Sequence, residues 1–471
     1  MMGGVAKVCK RLGVGLSTID TPAVRLITKQ PVPLTRSVDL RATHAYTQPY
    51  RFFIIAAQLA LILAVVAVYR IEQFGFGDLD FFALCGVSFA AFAIHYWLPF
   101  RWKEKFWVGV SLAGAFLFLR PITAFALLAA GAAIYCVVAS SLSYRVRVGL
   151  IIAGFLATTV LRAQSAWLTN LTHGHSLNSF WPMFGAVFMF RLIIYLYDLQ
   201  HIKGRPGLTG FLAYFFILPN YFFMLFPVID YKTMRLGYYR RDIHEIAQQG
   251  IKWIVRGIVQ LSLYMVVYHV REMMAMDGIN SFARLVSFMF LTFMLYLRVS
   301  GQFHVIIGLL HLFGYDLPET NNKYLLSSSL NDFWRRINIY WKEFMVKVVY
   351  FPTYFKLRKK SEFRARMVAT ATVFIVTWAL HSYQSYWLRG HFIFTWPDTL
   401  FWAILGTLVM INVWWDFRHP KKIAKTGLWP RISHALSVVG TMSMIIFIWS
   451  LWDAPSLSAW IDFLSWWHPK A

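Results

Sequence analysis

Apolar residues in this chain come in long runs separated by short, polar and mostly basic gaps. A helix that crosses a bilayer takes about 20 mostly apolar residues. Runs of that kind cover 52–69, 81–98, 106–119, 122–139, 148–161, 180–197, 251–269, 282–299, 367–387, 392–415 and 432–451, so the pattern predicts eleven crossings. Two further apolar pieces, 208–229 and 304–313, need separate accounts. Pro219, Asn220 and Pro227 interrupt the first, which is therefore expected to be re-entrant or interfacial rather than a straight span. Over 323–366 apolar residues recur at helical spacing among eleven Lys/Arg and three Asp/Glu. That pattern predicts amphipathic helices lying on or dipping into the bilayer.

Composition sharpens the picture. The chain is 58% hydrophobic and 14% charged, where a soluble domain carries roughly 25% charged residues. An all-α integral membrane protein is expected, with a basic arm over 1–50, a multi-span domain over 51–452 and a short tail over 453–471. The net charge of +25 would suit nucleic acid, but Lys and Arg gather between the apolar runs, where the positive-inside rule puts them. Anionic lipid head groups are the expected partners of that charge, not nucleic acid.

Arg101, Lys103 and Lys105 mark one side, as do Arg145 with Arg147, Lys203 with Arg205, and the loop with Arg418, Lys421, Lys422, Lys425 and Arg431. Glu72, Asp78 and Asp80, then Arg120, then the nearly uncharged 163–179 mark the other. The N-terminus is expected inside and, after eleven crossings, the C-terminus outside beside Asp453 and Asp462. The arm lacks the apolar core of a signal peptide. Cys9 lies in the arm, and Cys85 and Cys136 lie in apolar runs, which suits neither a disulfide framework nor a metal site.

Polar side chains inside apolar runs are where chemistry is expected, because lipid makes them costly. His381 lies about 22 Å along its run from Arg366 at 1.5 Å per residue. That is past the midplane, in a polar break made by Ser382, Tyr383, Gln384 and Ser385. It is either a hydrogen-bonded core histidine or a general base. His304 and His311, seven residues apart, lack the i,i+4 pairing and acidic ligand of a helical zinc site, so no metal is expected. His95, His269 and His391 fall near run ends and suit interfacial packing, while His173 and His175 sit in a loop within reach of an acceptor.

The segment 331–344, NDFWRRINIYWKEF, is the polar exception among apolar runs. Ser329 and Asp332 have capping-box spacing, which predicts one helix. Trp334, Asn338, Trp341 and Met345 would share one stripe of it, and Arg336, Tyr340 and Glu343 another. Two uses stay open. The helix can lie at the membrane surface, with aromatics at head-group depth and arginines towards phosphates. Alternatively, the Asn338 carboxamide, donor and acceptor both, can hold a carbonyl or orient an imidazole. No GxSxG, phosphate loop, dinucleotide motif or Cys/His nucleophile pair occurs. A buried histidine acting as general base is then the expected agent of any reaction. A transporter or channel is the reading from a different class, but the paired charges and internal repeat it would show are not evident.

The run 305–344, VIIGLLHLFGYDLPETNNKYLLSSSLNDFWRRINIYWKEF, resembles the membrane-bound O-acyltransferase superfamily. Within it, the run looks like the bacterial branch that acylates exported polysaccharides and teichoic acids. Phe333, Trp334, Arg335 and Arg336 match that branch's FWRR core. His381 sits where the superfamily's near-invariant histidine would, about 43 residues beyond Asn338. The likeness is clear over 208–415. Asn338 replaces the first histidine of the bacterial motif, and Leu380-His381-Ser382 replaces its Trp-His-Gly; asparagine at the first position is similar to the lipid and sterol branches.

The resemblance implies a ring of tilted spans around a thin centre pierced by a channel. It implies transfer of an acyl group, acetyl being expected, from a cytoplasmic acyl-CoA or acyl-carrier thioester, with no tightly bound cofactor. The acceptor would be a hydroxyl of an exported glycan or other envelope molecule, or else a lipid or small molecule. His381 and Asn338 would be catalytic, and Trp334, Arg335, Arg336 and Lys342 would bind the donor. Ser382, Tyr383 and Gln384 would line the acceptor channel. A bacterial cytoplasmic membrane and envelope-assembly partner proteins complete the expectation.

Overall fold

Among the described residues every regular element is a helix. In chain order these are α1 (Pro49–Tyr69), α2 (Phe81–Trp97), α3 (Phe100–Phe118), α4 (Pro121–Ala139), α5 (Tyr144–Ala163), α6 (Phe180–Leu199), α7 (Leu208–Phe215), α8 (Tyr231–Gly237) and α9 (Ile243–Asp277). The second half holds α10 (Phe282–Met294), α11 (Tyr296–Leu312), α12 (Leu330–Arg336), α13 (Ile339–Met345), α14 (Phe351–Leu357), α15 (Glu362–Arg389), α16 (Trp396–Arg418), α17 (Leu428–Asp453) and α18 (Leu457–Leu464). The computed structural model describes residues 48–72, 79–164, 179–200, 206–419 and 427–465. The arm over 1–47 with Cys9, and Asp78, His173, His175, Lys203, Arg205, Lys421, Lys422 and Lys425, lie outside the described residues.

Among the described residues nine helices are long and apolar enough to cross a membrane: α1, α4, α5, α6, α9, the α10–α11 pair, α15, α16 and α17. The protein is thus an all-α, multi-pass membrane protein. Two of the eleven expected crossings differ. α2 has 17 residues, ~26 Å against a hydrocarbon core of ~30 Å. The first turns of α3 carry Arg101, Lys103, Glu104 and Lys105. The separate piece expected at 304–313 is the end of α11, which continues α10 through a joint at Leu295 as one 31-residue span.

α9 and α11 approach at backbone distance. A Cβ added to Gly257 would stand 2.6 Å from the Gly301 carbonyl oxygen, and one on Gly308 2.6 Å from that of Gly250. Small residues serve this purpose in lipid, where association rests on van der Waals contact rather than on burial of apolar surface.

The stretch 208–229 is no straight helix. α7 has eight residues and gives way to a 3₁₀ turn, Leu218–Tyr221, at Pro219. Irregular backbone at membrane depth is tolerated where protein covers it, and Phe211, Ala213 to Phe216, and Ile217 to Phe223 are all buried. Arg191 of α6 supplies the missing donors. Its guanidinium donates to the carbonyls of Tyr214 (2.9 Å) and Phe215 (3.1 Å), to Asn220 Oδ1 (3.0 Å) and to Val187 (3.0 Å).

A second polar knot lies beyond this turn. Lys347 pairs with both Asp198, at the end of α6, and Asp230, which caps α8. Burial would raise the Asp230 carboxyl, but the Lys347 ammonium holds it below its usual value. Lys347 belongs to a π-helical segment, Val346–Tyr350, that links α13 to α14. A third knot pins the bend after α11. Arg240 and Arg241 both donate to Asp316 at 2.7 Å, and Tyr239 N donates to the Gly314 carbonyl at 2.7 Å.

Candidate functional site

The NDFWRRINIYWKEF segment departs from its sequence expectation: it is two helices, not one, and its apolar positions are packed inside the protein. Phe333, Ile337, Ile339, Tyr340, Trp341, Lys342, Phe344 and Met345 are all buried. α12 begins as the capping-box spacing predicts, with Ser329 Oγ accepting from Asp332 N at 3.1 Å. Asn412 of α16 reinforces it, its Oδ1 accepting from Leu330 N at 3.1 Å. The helix ends at Arg336, and Asn338 takes the left-handed conformation, φ +39° and ψ +63°. Asparagine is one of the few residues that visit this region readily.

Competing hydrogen bonds explain the break. Asn338 N donates to Asn321 Oδ1 (2.8 Å), and Ile339 N donates to the Thr320 carbonyl (2.8 Å), so neither is left for a continuous helix. Asn338 Oδ1 then caps α13 by accepting from Trp341 N at 3.3 Å. The buried Asn321 is itself tied by Tyr296 OH (3.2 Å) and by its own Nδ2 to Ser300 Oγ (3.3 Å). The joint is thereby fixed to α11.

Around this joint lies an open cavity of about 540 Å³. Asn338, Trp334, Trp341 and Lys342 from the joint line it, together with His381 of α15 and Tyr296 of α11. Trp402 of α16 and Trp449 and Trp452 of α17 complete an indole wall. The imidazole of His381 lies ~12 Å from the Arg389 end of its helix, at 1.5 Å per residue. It packs against Trp402 (4.9 Å between centroids), Trp341 (5.5 Å) and Trp452 (6.0 Å). Side-chain bonds steady two of these rings. Trp341 Nε1 donates to Thr377 Oγ1, one turn before His381, at 3.4 Å, and Trp452 Nε1 donates to the buried Asp398 at 2.9 Å.

Among the described residues neither the His381 ring nor Asn338 Nδ2 makes a hydrogen bond. Both therefore stand ready for a guest in the cavity, the ring nitrogen as proton acceptor and the carboxamide as donor. His304 and His311 are committed instead. Each ring bonds through Nδ1 to a carbonyl one turn back, Ser300 at 2.8 Å and Ile307 at 2.7 Å. No group of three or more metal-ligating side chains occurs among the described residues.

Other expected site residues lie elsewhere. Arg336 pairs with Asp332 at 2.8 Å, and Arg335 is exposed; neither lines the cavity. Ser382 is buried and Tyr383 packs edge-on to Trp387 at 6.1 Å, since successive residues of α15 point to different sides. Gln384 lines a second, smaller cavity of about 260 Å³ with Phe190, Arg191, Met224 and Phe226. An edge contact of 4.9 Å between Phe190 and Trp341 lies between the two spaces.

Sequence reasoning missed Tyr296, Trp402, Trp449, Trp452 and Arg191. A signal existed for Arg191, a lone arginine within an apolar run. Tyr296 and the three tryptophans had none, being four aromatic positions among many in long spans. The chain matches no protein-family model and no curated protein.

Proposed function

We propose that this protein is a membrane O-acyltransferase of the membrane-bound O-acyltransferase superfamily. It moves an acyl group, acetyl in the simplest case, from a cytoplasmic thioester to a hydroxyl of an exported envelope glycan. One observation carries the reading. His381 and Asn338, far apart in sequence, line the same indole-walled cavity, each with its functional atom uncommitted.

In this mechanism the acceptor hydroxyl hydrogen-bonds to His381. As its oxygen attacks the thioester carbon, the proton passes to the imidazole, which general-base catalysis makes worth roughly 10²–10⁴-fold. Asn338 Nδ2 donates to the carbonyl oxygen as negative charge develops there. The carbon–sulfur bond then breaks, and the thiolate takes the proton from His381. No acyl-enzyme forms, so no nucleophilic side chain is required. The indole walls keep water from competing with the acceptor.

Thiol release from acetyl-CoA by purified protein in the presence of candidate acceptors tests the reading. Release should depend on His381 and fall by at least ~10²-fold in His381→Ala protein that still folds. Equal release by that variant sinks the mechanism. Comparing esters on surface glycans and on lipids of a deletion strain by NMR then separates a glycan acceptor from a lipid one.

A further inference from the structure

Among the described residues Lys342 is the only formally charged side chain lining the His381 cavity. The resemblance implies that it binds the donor, where the nucleotide phosphates of acyl-CoA are the obvious target. Its position argues otherwise. Lys342 is 4% exposed, and its Nζ lies 2.6 Å from Glu343 Oε1. A pair of that kind balances its own charge and can stay buried. The multiple negative charges of a nucleotide diphosphate would need several free cations there.

Geometry gives the ammonium a different target. Lys342 N donates to the Asn338 carbonyl at 3.1 Å, so the two residues sit one turn apart on the same face of α13. Both residues also line the cavity. A cation and a carboxamide donor therefore share one wall of the cavity, and His381 stands on another helix.

We propose that Lys342 is a catalytic residue that stabilises the oxyanion formed on the thioester carbonyl, with Asn338 as the second donor. This rests on the acyltransferase reading above. When the acceptor oxygen bonds to the carbonyl carbon, the C=O electron pair moves onto oxygen, opposite the ammonium. The pair returns as the C–S bond breaks, and the leaving thiolate takes up the proton that His381 removed from the hydroxyl. A single negative charge is created and discharged, and an ammonium has three N–H donors, so one can meet Glu343 while another meets the oxyanion. Removing one donor of this kind costs about 10²–10³-fold in kcat.

Two donors separate this role from phosphate binding. Acetyl-CoA carries the nucleotide phosphates; S-acetylpantetheine presents the same thioester without them. With methyl glucoside and methyl galactoside as hydroxyl probes, Lys342→Met should lower kcat by about 10²-fold or more on both donors. The KM for acetyl-CoA should be unchanged. A loss confined to acetyl-CoA and carried by KM, or no loss on either donor, overturns the proposal. Should Lys342→Met fail to elute as folded protein from gel filtration in detergent, Lys342→Arg and Lys342→Gln are compared instead. The arginine variant should then keep at least about tenfold more rate on both donors, and equal rates overturn the proposal. A wild type no faster than His381→Ala on both donors sinks the acyltransferase reading itself, an outcome distinct from a failure at Lys342 alone.

Discussion

The imidazole of His381 is stacked on the indole of Trp402, with centroids 4.9 Å apart and planes 26° from parallel. No hydrogen bond holds the imidazole among the described residues, so packing sets its pose. The imidazolium formed during transfer would lie on an electron-rich face, an interaction worth about 0.5–2 kcal/mol. Trp402→Phe, which keeps a weaker aromatic face, should slow thiol release less than Trp402→Leu, with the latter down about 3- to 30-fold. Identical rates in the two variants would remove Trp402 from the mechanism.

In the proposed mechanism Asn338 serves fold and chemistry through different atoms, and substitutions separate them. Asn338→Ala loses the cap on α13, about 1 kcal/mol, and puts a Cβ-bearing residue without a compensating bond into the left-handed region, about 1–2 kcal/mol. Asn338→Gly relieves the backbone but still lacks the carboxamide. Both should lose roughly 10²-fold in rate, while thermal unfolding in detergent should show the glycine variant as the more stable. Wild-type rates in Asn338→Gly would confine the residue to a structural role.

Arg191→Met should loosen the 208–229 turn. It removes the donors to Tyr214, Phe215 and Asn220, and each buried acceptor left unsatisfied costs about 1–3 kcal/mol. A clear drop in thermal stability and new protease cleavage near Pro219 are the expected results. Unchanged stability would mean that the turn is held by its aromatic packing alone.

The bend after α11 should be acid-sensitive. Burial works to raise the Asp316 carboxyl, but hydrogen bonds from Arg241 and Arg240 hold it below its usual value of 3.8. A carboxyl depressed in the folded state contributes stability fully above its unfolded value and loses it as pH falls through the folded one. Asp316→Asn should therefore be less stable than wild type by a constant amount above about pH 5. The gap should narrow as pH drops below the usual carboxylate range, and unfolding midpoints measured from pH 7 to pH 3 check this. A gap that widens towards acid pH would refute the assignment.

Most of the spans were legible because lipid permits so few solutions: about 20 apolar residues per crossing leave a plain mark. The turn at 208–229 was legible through Pro219, which cannot continue a helix. The break at Asn338 was not. Trp334, Asn338 and Trp341 keep helical spacing across the joint, and they still meet in space, so periodicity reads straight through it. What ends the helix is Asn321, 17 residues earlier, whose carboxamide takes the Asn338 N–H. Local pattern holds no trace of such a distant competitor. The position of Lys342 was equally hidden: the resemblance gave it to the donor, and only tertiary packing shows that it lines the same cavity as His381. His381 was singled out by a different kind of signal, the cost of a polar side chain in lipid, which holds wherever its neighbours lie.

The left-handed joint at residue 338 filters variation before any chemistry is tested. Only residues at ease with positive φ can stand there without strain: glycine, asparagine, aspartate and histidine. The bacterial motif that this segment resembles carries histidine at the same place. Exchange between histidine and asparagine would then leave the backbone undisturbed, so a lineage could alter the hydrogen-bonding character of the cavity in one step without first rebuilding the helix pair that surrounds it.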